Sequence, residues 1–180
     1  DGNEPAGHSL RVLGLEAATG RILWNVEAFT QDGAKAPKIH GKNSHASPTP
    51  IVRDGRVWVH FGHQGTACLS DSGDIIWRNR ELQYSPVHGN GGTPTLVRDT
   101  LVFSCDGADN PFVVALDAKS GAVRWKSPRV SDAPKKFSFA TPLAIESEGK
   151  TLVISSGSNS VGAFDLGTGE QVWSVRYQGY

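Results

Sequence analysis

The chain has 180 residues, of which 38% are apolar and 20% are charged, a composition typical of a soluble globular protein and not of a disordered one. Its formal net charge is +0, which argues against an electrostatically driven binder of nucleic acid or of anionic membranes. No apolar run reaches the roughly 18 residues that a membrane-spanning helix needs, so we expect a protein that does not cross a membrane.

The predicted elements are short strands throughout. β-Branched and aromatic runs alternate with clusters of Gly, Pro, Asp, Asn and Ser, and helical periodicity is almost absent. Two strands are expected directly before the turns Arg53–Gly55 and Glu146–Lys150. In chain order, the other predicted strands are Arg11–Leu15, Ile22–Glu27, Arg56–Phe61, Gly65–Leu69, Ile75–Arg80, Thr95–Val97, Leu101–Ser104, Phe112–Leu116, Val123–Lys126, Thr151–Ser155, Val161–Phe164 and Gln171–Val175.

Four of the five tryptophans recur at a nearly constant spacing of 53, 48 and 48 residues. Each follows a glycine by four residues, and each of those glycines follows Thr or Ser. A period in this range indicates tandem repeats, and four strands in a repeat of about 48 residues are typical of one blade of a β-propeller. The repeated residues are Trp24, Trp77, Trp125 and Trp173, with Gly20, Gly73, Gly121 and Gly169.

We therefore predict an all-β chain in which residues 1–180 form a single partial β-propeller domain of four-stranded antiparallel blades. The first blade, at about 10–27, supplies only its last two strands, and complete blades follow at about 47–80, 93–127 and 139–176. About three and a half blades do not close a ring, which needs roughly four to eight. We expect a piece of a longer protein with a seven- or eight-bladed ring, and a self-associating half-ring is the alternative.

The turn before each tryptophan carries a motif. In the last two repeats its residues are Ala115, Asp117, Ser120, Gly121 and Trp125, and then Ala163, Asp165, Thr168, Gly169 and Trp173. They resemble A-x-D-x-x-T-G-x-x-x-W, the tryptophan-docking repeat of the quinoprotein (PQQ) β-propeller family. The first copy departs at Gly14 and Glu16, and the second is one residue short, with Cys68 and Ser70 at the nearest positions. The resemblance implies that each tryptophan wedges between neighbouring blades.

The aspartates and glycines of this motif have a local role. Asp117 and Asp165 are suited to accept hydrogen bonds from backbone amides of the turn, and the motif glycines supply a positive φ. The strongest pattern in the sequence thus predicts a fold and not a reaction.

Loops at one end of such a ring are the candidates for binding, because loops on a rigid scaffold carry most binding residues. We expect His45 and His63 to lie on one blade, with His88 and Asp106 on the next. Divalent-metal binding by these groups is weighed against solvated loop residues, and we expect no metal site because no short ligand motif is present. The candidate binding residues are His45, His63, His88, Asn90, Asp106 and Asp109.

Three other features have structural interpretations. Gly89–Gly92 precedes a predicted strand and not a helix, so we interpret it as a flexible turn and not as a phosphate loop. His60 lies inside a predicted strand and is expected to be packed. Cys68 and Cys105 are 37 residues apart, a spacing that leaves open both a disulfide and two buried free thiols.

The resemblance implies two classes of function. Quinoprotein dehydrogenases of this fold use adjacent cysteines against the quinone, a calcium site and an acidic base, and this sequence has no adjacent cysteine pair. Other members resemble the periplasmic scaffold of outer-membrane assembly, BamB. We expect such a non-catalytic, periplasmic scaffold, without cofactor, that binds a protein partner or the remaining blades. Part of a PQQ- and calcium-dependent dehydrogenase of alcohols or sugars is the alternative.

Overall fold

The computed structural model describes residues 7–32 and 39–178. These residues form fourteen β-strands and one short 3-10 turn, Gly62–Gln64, which confirms the prediction of an all-β chain. The strands are β1 His8–Leu15, β2 Ile22–Gln31, β3 Ile51–Arg53, β4 Arg56–His60, β5 Thr66–Ser70, β6 Ile75–Asn79, β7 Thr95–Val97, β8 Thr100–Cys105, β9 Phe112–Asp117, β10 Val123–Pro128, β11 Leu143–Ser147, β12 Lys150–Ser156, β13 Ser160–Asp165 and β14 Gln171–Arg176.

The strands form one two-stranded and three four-stranded antiparallel sheets, each in chain order. We call them the first blade (β1–β2), the second blade (β3–β6), the third blade (β7–β10) and the fourth blade (β11–β14). The four-stranded units and the incomplete first unit are those predicted from the sequence. The first sheet is longer than expected, since it runs from His8 to Gln31. Residues 1–6, 33–38 and 179–180 of the predicted domain lie outside the described residues.

The turn before the last strand of the third blade is built by its aspartate. Asp117 Oδ1 accepts hydrogen bonds from the amides of Lys119 and Ser120, at 2.9 and 2.8 Å, and Gly121 closes the turn with a φ of 76°. The hydrogen bond from Arg124 is the main cause that holds the pKa of Asp117 well below its ordinary value. Asp165 accepts the same two turn amides in the fourth blade.

Each motif tryptophan follows a β-bulge, in which one extra residue stands unpaired between two strands. In the third blade, Val123 pairs with Leu116 and Trp125 with Ala115, so Arg124 is the extra residue. The same interruption stands one residue before Trp24, Trp77 and Trp173. The repeat is therefore a repeat of backbone geometry as well as of sequence.

Three apolar layers lie between successive blades. Strand residues alternate between two faces, so β8 and β9 of the third blade contribute to both of their neighbours. Phe103 and Val114 are buried against the second blade, whereas Val102 and Val113 are buried with Val153 of the fourth. A third cluster joins the first and second blades through residues that include Phe29 and Phe61, whose rings meet edge to face at 6.0 Å.

Three motif tryptophans contact the following blade in the same way. The indole Nε1 atoms of Trp24, Trp77 and Trp125 donate to the backbone carbonyls of Asp71, Ala118 and Leu166, at 2.9, 3.1 and 2.8 Å. Each ring also covers the motif glycine of that next blade. A Cβ added at Gly73, Gly121 or Gly169 would lie 2.9, 2.5 or 2.5 Å from the nearest atom of the corresponding ring.

The two outer faces of this array are open in complementary ways. Trp173, on the last described strand, is 41% exposed. Gly20, in the equivalent turn of the first blade, has a φ of 74°, and no described atom lies within 4 Å of a Cβ added there. Trp173 shares its face with the exposed side chains of Leu143, Ile145 and Val175. The fourth blade thus ends the array with a partly exposed indole, and the first blade begins it with a glycine turn that no described ring covers.

Candidate binding face

Loops from successive blades meet at one end of the array. The connections between blades are residues 39–50, 80–94 and 129–142, and the first two of these are joined by a hydrogen bond from the Asn43 amide to the His88 carbonyl, at 2.8 Å. Loops that join the second and third strands of each blade lie at the same end, since Ala108 N donates to Ser85 O at 3.0 Å. We call this end the loop face.

The loop face carries an open cavity of about 300 Å³, the inner-loop pocket, lined by His40, Lys42, Asn43, His88, Gly91 and Phe139. The His88 ring packs edge-on against two other rings, His40 with centroids 5.2 Å apart and Phe137 at 4.9 Å. Phe139 lies 5.7 Å from Phe137 and is 45% exposed. Three of the six lining residues are therefore aromatic, and the phenyl ring of Phe139 is accessible to solvent.

Gly89–Gly92 packs closely against the neighbouring loops, and its interpretation as a flexible turn stays a prediction. A Cβ at Gly89 would lie 2.8 Å from both Ile39 and Asn43, and one at Gly91 would lie 2.9 Å from Phe139. Side chains cannot be added at such distances unless a neighbour moves. The glycines are therefore required by the close approach of the neighbouring loops.

His45, in the connection that enters the second blade, and His63, in the 3-10 turn of that blade, lie near each other. His45 Nδ1 is 2.6 Å from Gln64 Nε2, and the His63 ring lies edge-on to Tyr84 at 5.9 Å. Burial is the main cause that lowers the pKa of both imidazoles, with a smaller contribution from His8 at His45 and from His45 at His63. Both rings are therefore biased toward the neutral form.

Asn90 is held within the face and does not project from it. Its Oδ1 atom accepts a hydrogen bond from the Tyr84 hydroxyl at 3.0 Å, and its side chain covers Gly62, where an added Cβ would lie 2.5 Å from Asn90 Cβ. Burial raises the pKa of Tyr84 well above its ordinary value, so the phenol remains protonated and donates. Asn90 thus links the second-blade 3-10 turn to the connection that enters the third blade.

Asp106 forms a buried ion pair. Its Oδ1 atom is 3.1 Å from Arg129 Nε, and the two side chains are 2% and 5% exposed. Ser138 donates to Oδ2 of the same carboxylate, and the Arg129 guanidinium also donates to Ser104 and Ser155. Burial raises the pKa of Asp106, and Arg129 and Ser138 oppose that shift. Asp106 lies on the loop after β8 of the third blade, and its carboxylate pairs with the connection that follows that blade.

Asp109 caps a neighbouring segment, since its Oδ1 atom accepts a hydrogen bond from the backbone N–H of Ser85 at 3.3 Å.

Cys68 and Cys105 are both free and buried, so of the two alternatives the structure has the free thiols. The described residues contain no group of three or more His, Cys, Asp or Glu side chains arranged to hold a metal ion. None of the described helices has the length and apolar character for a membrane span.

Sequence reasoning missed several residues of the loop face. Arg129 and Gln64 gave no signal because each acts through a loop partner from another part of the chain. Phe137 and Phe139 did carry one, since they are two aromatic residues in a connection otherwise rich in Lys, Ser and Ala. Tyr84, buried in the core between the second and third blades, likewise follows no strand pattern.

Four-stranded blades that stack through one repeated contact, with their loops gathered at one end, define a PQQ-type β-propeller. A family model described as outer membrane protein assembly factor BamB matches residues 6–180, and the chain belongs to this family. A comparison with curated proteins gives no match.

Solved structures with the same fold include both enzymes and an assembly factor. The chain is 13% identical to the quinohemoprotein alcohol dehydrogenase of Comamonas testosteroni, with a TM-score of 0.65 over 94% of this chain and 32% of that one. It is 13% identical to a europium-containing methanol dehydrogenase, with a TM-score of 0.63 over 97% of this chain and 40% of that one. It is 14% identical to BamB from Moraxella catarrhalis, with a TM-score of 0.55 over 95% of this chain and 52% of that one.

These likenesses show the fold alone. The chain spans about a third of the alcohol dehydrogenase and about half of the BamB structure that it matches.

Proposed function

We propose that this chain is part of a periplasmic PQQ-like propeller that binds a protein partner through its loop face and needs no cofactor to do so. The observation that carries the proposal is the preformed face itself, in which the connections of three successive blades pack on one another around an accessible aromatic ring, Phe139. Preformed faces lose little conformational freedom when a partner binds. The family description as an outer-membrane assembly factor supports both the role and the compartment.

The candidate acids support binding over catalysis in this part of the ring. A general base must reach its substrate within hydrogen-bond distance, and Asp106 is instead enclosed by Arg129 and Ser138. Asp109 is engaged by the Ser85 amide. We propose that both acids hold the loops in place, and that His45, His63, His88 and Asn90 shape the surface that the partner meets.

We further propose that the four motif tryptophans serve as docks between blades. Trp24, Trp77 and Trp125 support this through identical hydrogen bonds and glycine contacts. Trp173 is then the dock for a further blade of the ring, whether in a longer chain or in a second copy.

The alternative function, part of a PQQ- and calcium-dependent dehydrogenase of alcohols or sugars, is favoured by a specific finding. Two of the solved structures with this fold are alcohol-oxidising dehydrogenases, and the chain spans 32% and 40% of them. Groups that bind PQQ and calcium would then be contributed by other blades. This alternative predicts quinone absorbance and dye-linked oxidation of alcohols or sugars after PQQ and calcium are added to the full-length protein.

Site-specific cross-linking tests the scaffold proposal. A benzophenone amino acid in place of Phe139 should capture a protein partner in cells, because this position lies on the loop face. The same group in place of Lys119, an exposed residue of the turn between β9 and β10, is the matched control and should capture none. Equal capture at the two positions, or quinone-dependent oxidation by the protein, would contradict the scaffold proposal.

A further inference from the structure

We propose that the inner-loop pocket binds one aromatic side chain of a partner segment that carries an acidic residue beside it. The inference rests on the proposed function, since it names the chemistry by which the loop face recognises its partner. It follows from the volume, the wall and the charge of the pocket.

The volume of the pocket fits a single ring system. At about 300 Å³ it stands at the lower limit of the roughly 300–1,000 Å³ of small-molecule sites. A Phe, Tyr or Trp side chain fits within that volume. Aromatic side chains are also the residues that anchor most protein interfaces.

The wall of the pocket presents rings in fixed orientations. His88 is held edge-on between His40 and Phe137, at interplanar angles of 81° and 85°. Aromatic pairs favour such edge-to-face or offset contacts at centroid separations of about 4.5–7 Å. The exposed Phe139 ring, which approaches Gly91 closely, also lines the pocket. A ring that enters the pocket can therefore contact the rings of His40, His88 and Phe139, which line it.

The charge at the pocket is positive. Lys42 is exposed and forms no ion pair with any residue that the structure describes, and the described lining residues include no acid. A carboxylate next to the bound ring would therefore find Lys42 available. Such a pair adds direction and association rate to the contact made by the ring.

The backbone of the pocket is braced before any ligand arrives. His40 N and Asn43 Nδ2 both donate to the His88 carbonyl, at 3.3 and 2.8 Å. Because these bonds join two connections that are far apart in sequence, the pocket does not have to form at the moment of binding. The structure thus provides an aromatic pocket lined by one cation, Lys42, which forms no ion pair with the described residues.

Fluorescence polarisation with the 180-residue chain tests the proposal. The probe is a fluorescein-labelled seven-residue peptide with a central Trp flanked by Glu and Asp and otherwise made of Gly and Ser. It should bind saturably, and a peptide with Ala in place of Trp should bind at least about tenfold more weakly, the ratio that corresponds to about 1.4 kcal/mol. A peptide with Lys in place of both acids should also lose affinity.

Variants assign the binding to the pocket. Phe139→Leu keeps apolar volume but removes the ring, and should raise the Kd of the Trp peptide about tenfold. Lys42→Gln should raise the Kd less and should flatten its dependence on salt. Lys119→Gln is the matched control on a distant turn and should leave the Kd unchanged. Circular dichroism of each variant shows whether its fold is retained.

Four results would overturn the proposal. They are the absence of saturable binding at millimolar peptide, equal binding of the Trp and Ala peptides, an unchanged Kd in a folded Phe139→Leu variant, and tighter binding of free indole-3-acetate than of the peptide. The last result would identify a small-molecule site. If cross-linking from position 139 still captures a protein while the peptide fails to bind, only the ligand class is wrong and the scaffold function stands.

Discussion

At the scale of single residues, His60 shows how a polar group is accommodated inside a blade. Its Nδ1 atom is 2.8 Å from Thr66 Oγ1 on the paired strand, and its ring lies 4.3 Å from the Phe103 ring of the third blade. The residue is buried, as its place inside a predicted strand suggested. Burial is the main cause that lowers the pKa of His60 to about 3, and His63 adds to the shift.

Acid should destabilise the fold through this residue. An unfolded histidine has a pKa of about 6.5, so between this value and about 3 the unfolded chain binds a proton that the folded chain excludes. The free energy of unfolding should then fall by about 1.4 kcal/mol for each pH unit of acidification below about 6.5. In His60→Gln this contribution to the pH dependence of the free energy of unfolding should be lost.

Urea unfolding of wild type and His60→Gln at several pH values measures the difference. His45 and His63 remain in the variant, so the change in slope reports His60. Above about pH 7, where neither state protonates His60, the two stabilities should differ by a constant. Parallel curves between about pH 4 and pH 6 would contradict the prediction.

Residue-level prediction from sequence worked where a side chain acts on its own turn and failed where it acts across blades. The role of Asp117 in its turn follows from the residues next to it. Asp106 was expected on an accessible loop, but its partner Arg129 lies 23 positions further on and on a different connection. Such distant pairs leave no pattern in a single sequence, because spacing carries information only about neighbours in the same element.

At the scale of elements, the strands were predictable because turn residues mark their ends. The predicted strand Thr95–Val97 is reproduced, and Gln171–Val175 is extended by one residue. The bulges were not predictable, since they arise from the register between two strands. Likewise the close packing of Gly89–Gly92 was not predictable, because its neighbours Ile39 and Phe139 are about 50 positions away in the sequence.

The motif glycines provide a test of the contact between elements. Gly121→Ala would force a non-glycine residue to a φ of 76° and would place a Cβ 2.5 Å from Trp77. The left-handed backbone costs about 1–2 kcal/mol, and displacement of the ring should cost about 1–3 kcal/mol more. We expect a loss of about 2–5 kcal/mol in the free energy of unfolding.

Gly20→Ala is the matched control. Its φ is 74° in the equivalent turn, but no described atom lies near the added Cβ, so only the backbone cost of about 1–2 kcal/mol applies. Denaturant melts of both variants compare the two. Equal losses would mean that Trp77 does not depend on the glycine turn of the next blade.

At the scale of the whole molecule, the array is an open stack with an apolar face at its end. Leu143, Trp173 and Val175 are 62%, 41% and 58% exposed on the same side of the fourth blade. Contiguous apolar surfaces of this kind mark association sites. The sequence predicted an incomplete ring because the count of tryptophan repeats is too small, although it did not show which side chains the open face would carry.

We expect the isolated 180-residue chain to associate through this face at high concentration. Val175→Lys places a charge within the apolar face and should shift the chain toward the monomer, as measured by sedimentation velocity over a range of concentrations. Val130→Lys is the matched control, since Val130 is 76% exposed on a connecting loop and its change should leave association unaltered. A wild-type chain that is monomeric at every concentration would contradict self-association and leave a further blade as the occupant.

The contact between each indole and the next glycine turn has a consequence for how such rings arise. Because all three contacts join the same atoms in the same order, this part of the joint does not depend on which two blades it links. Tandem duplication of one stretch of about 48 residues would yield a blade that already carries both halves of its joint. Ring size can then change in a lineage by whole repeats, while loop residues such as Phe139 diverge independently of it.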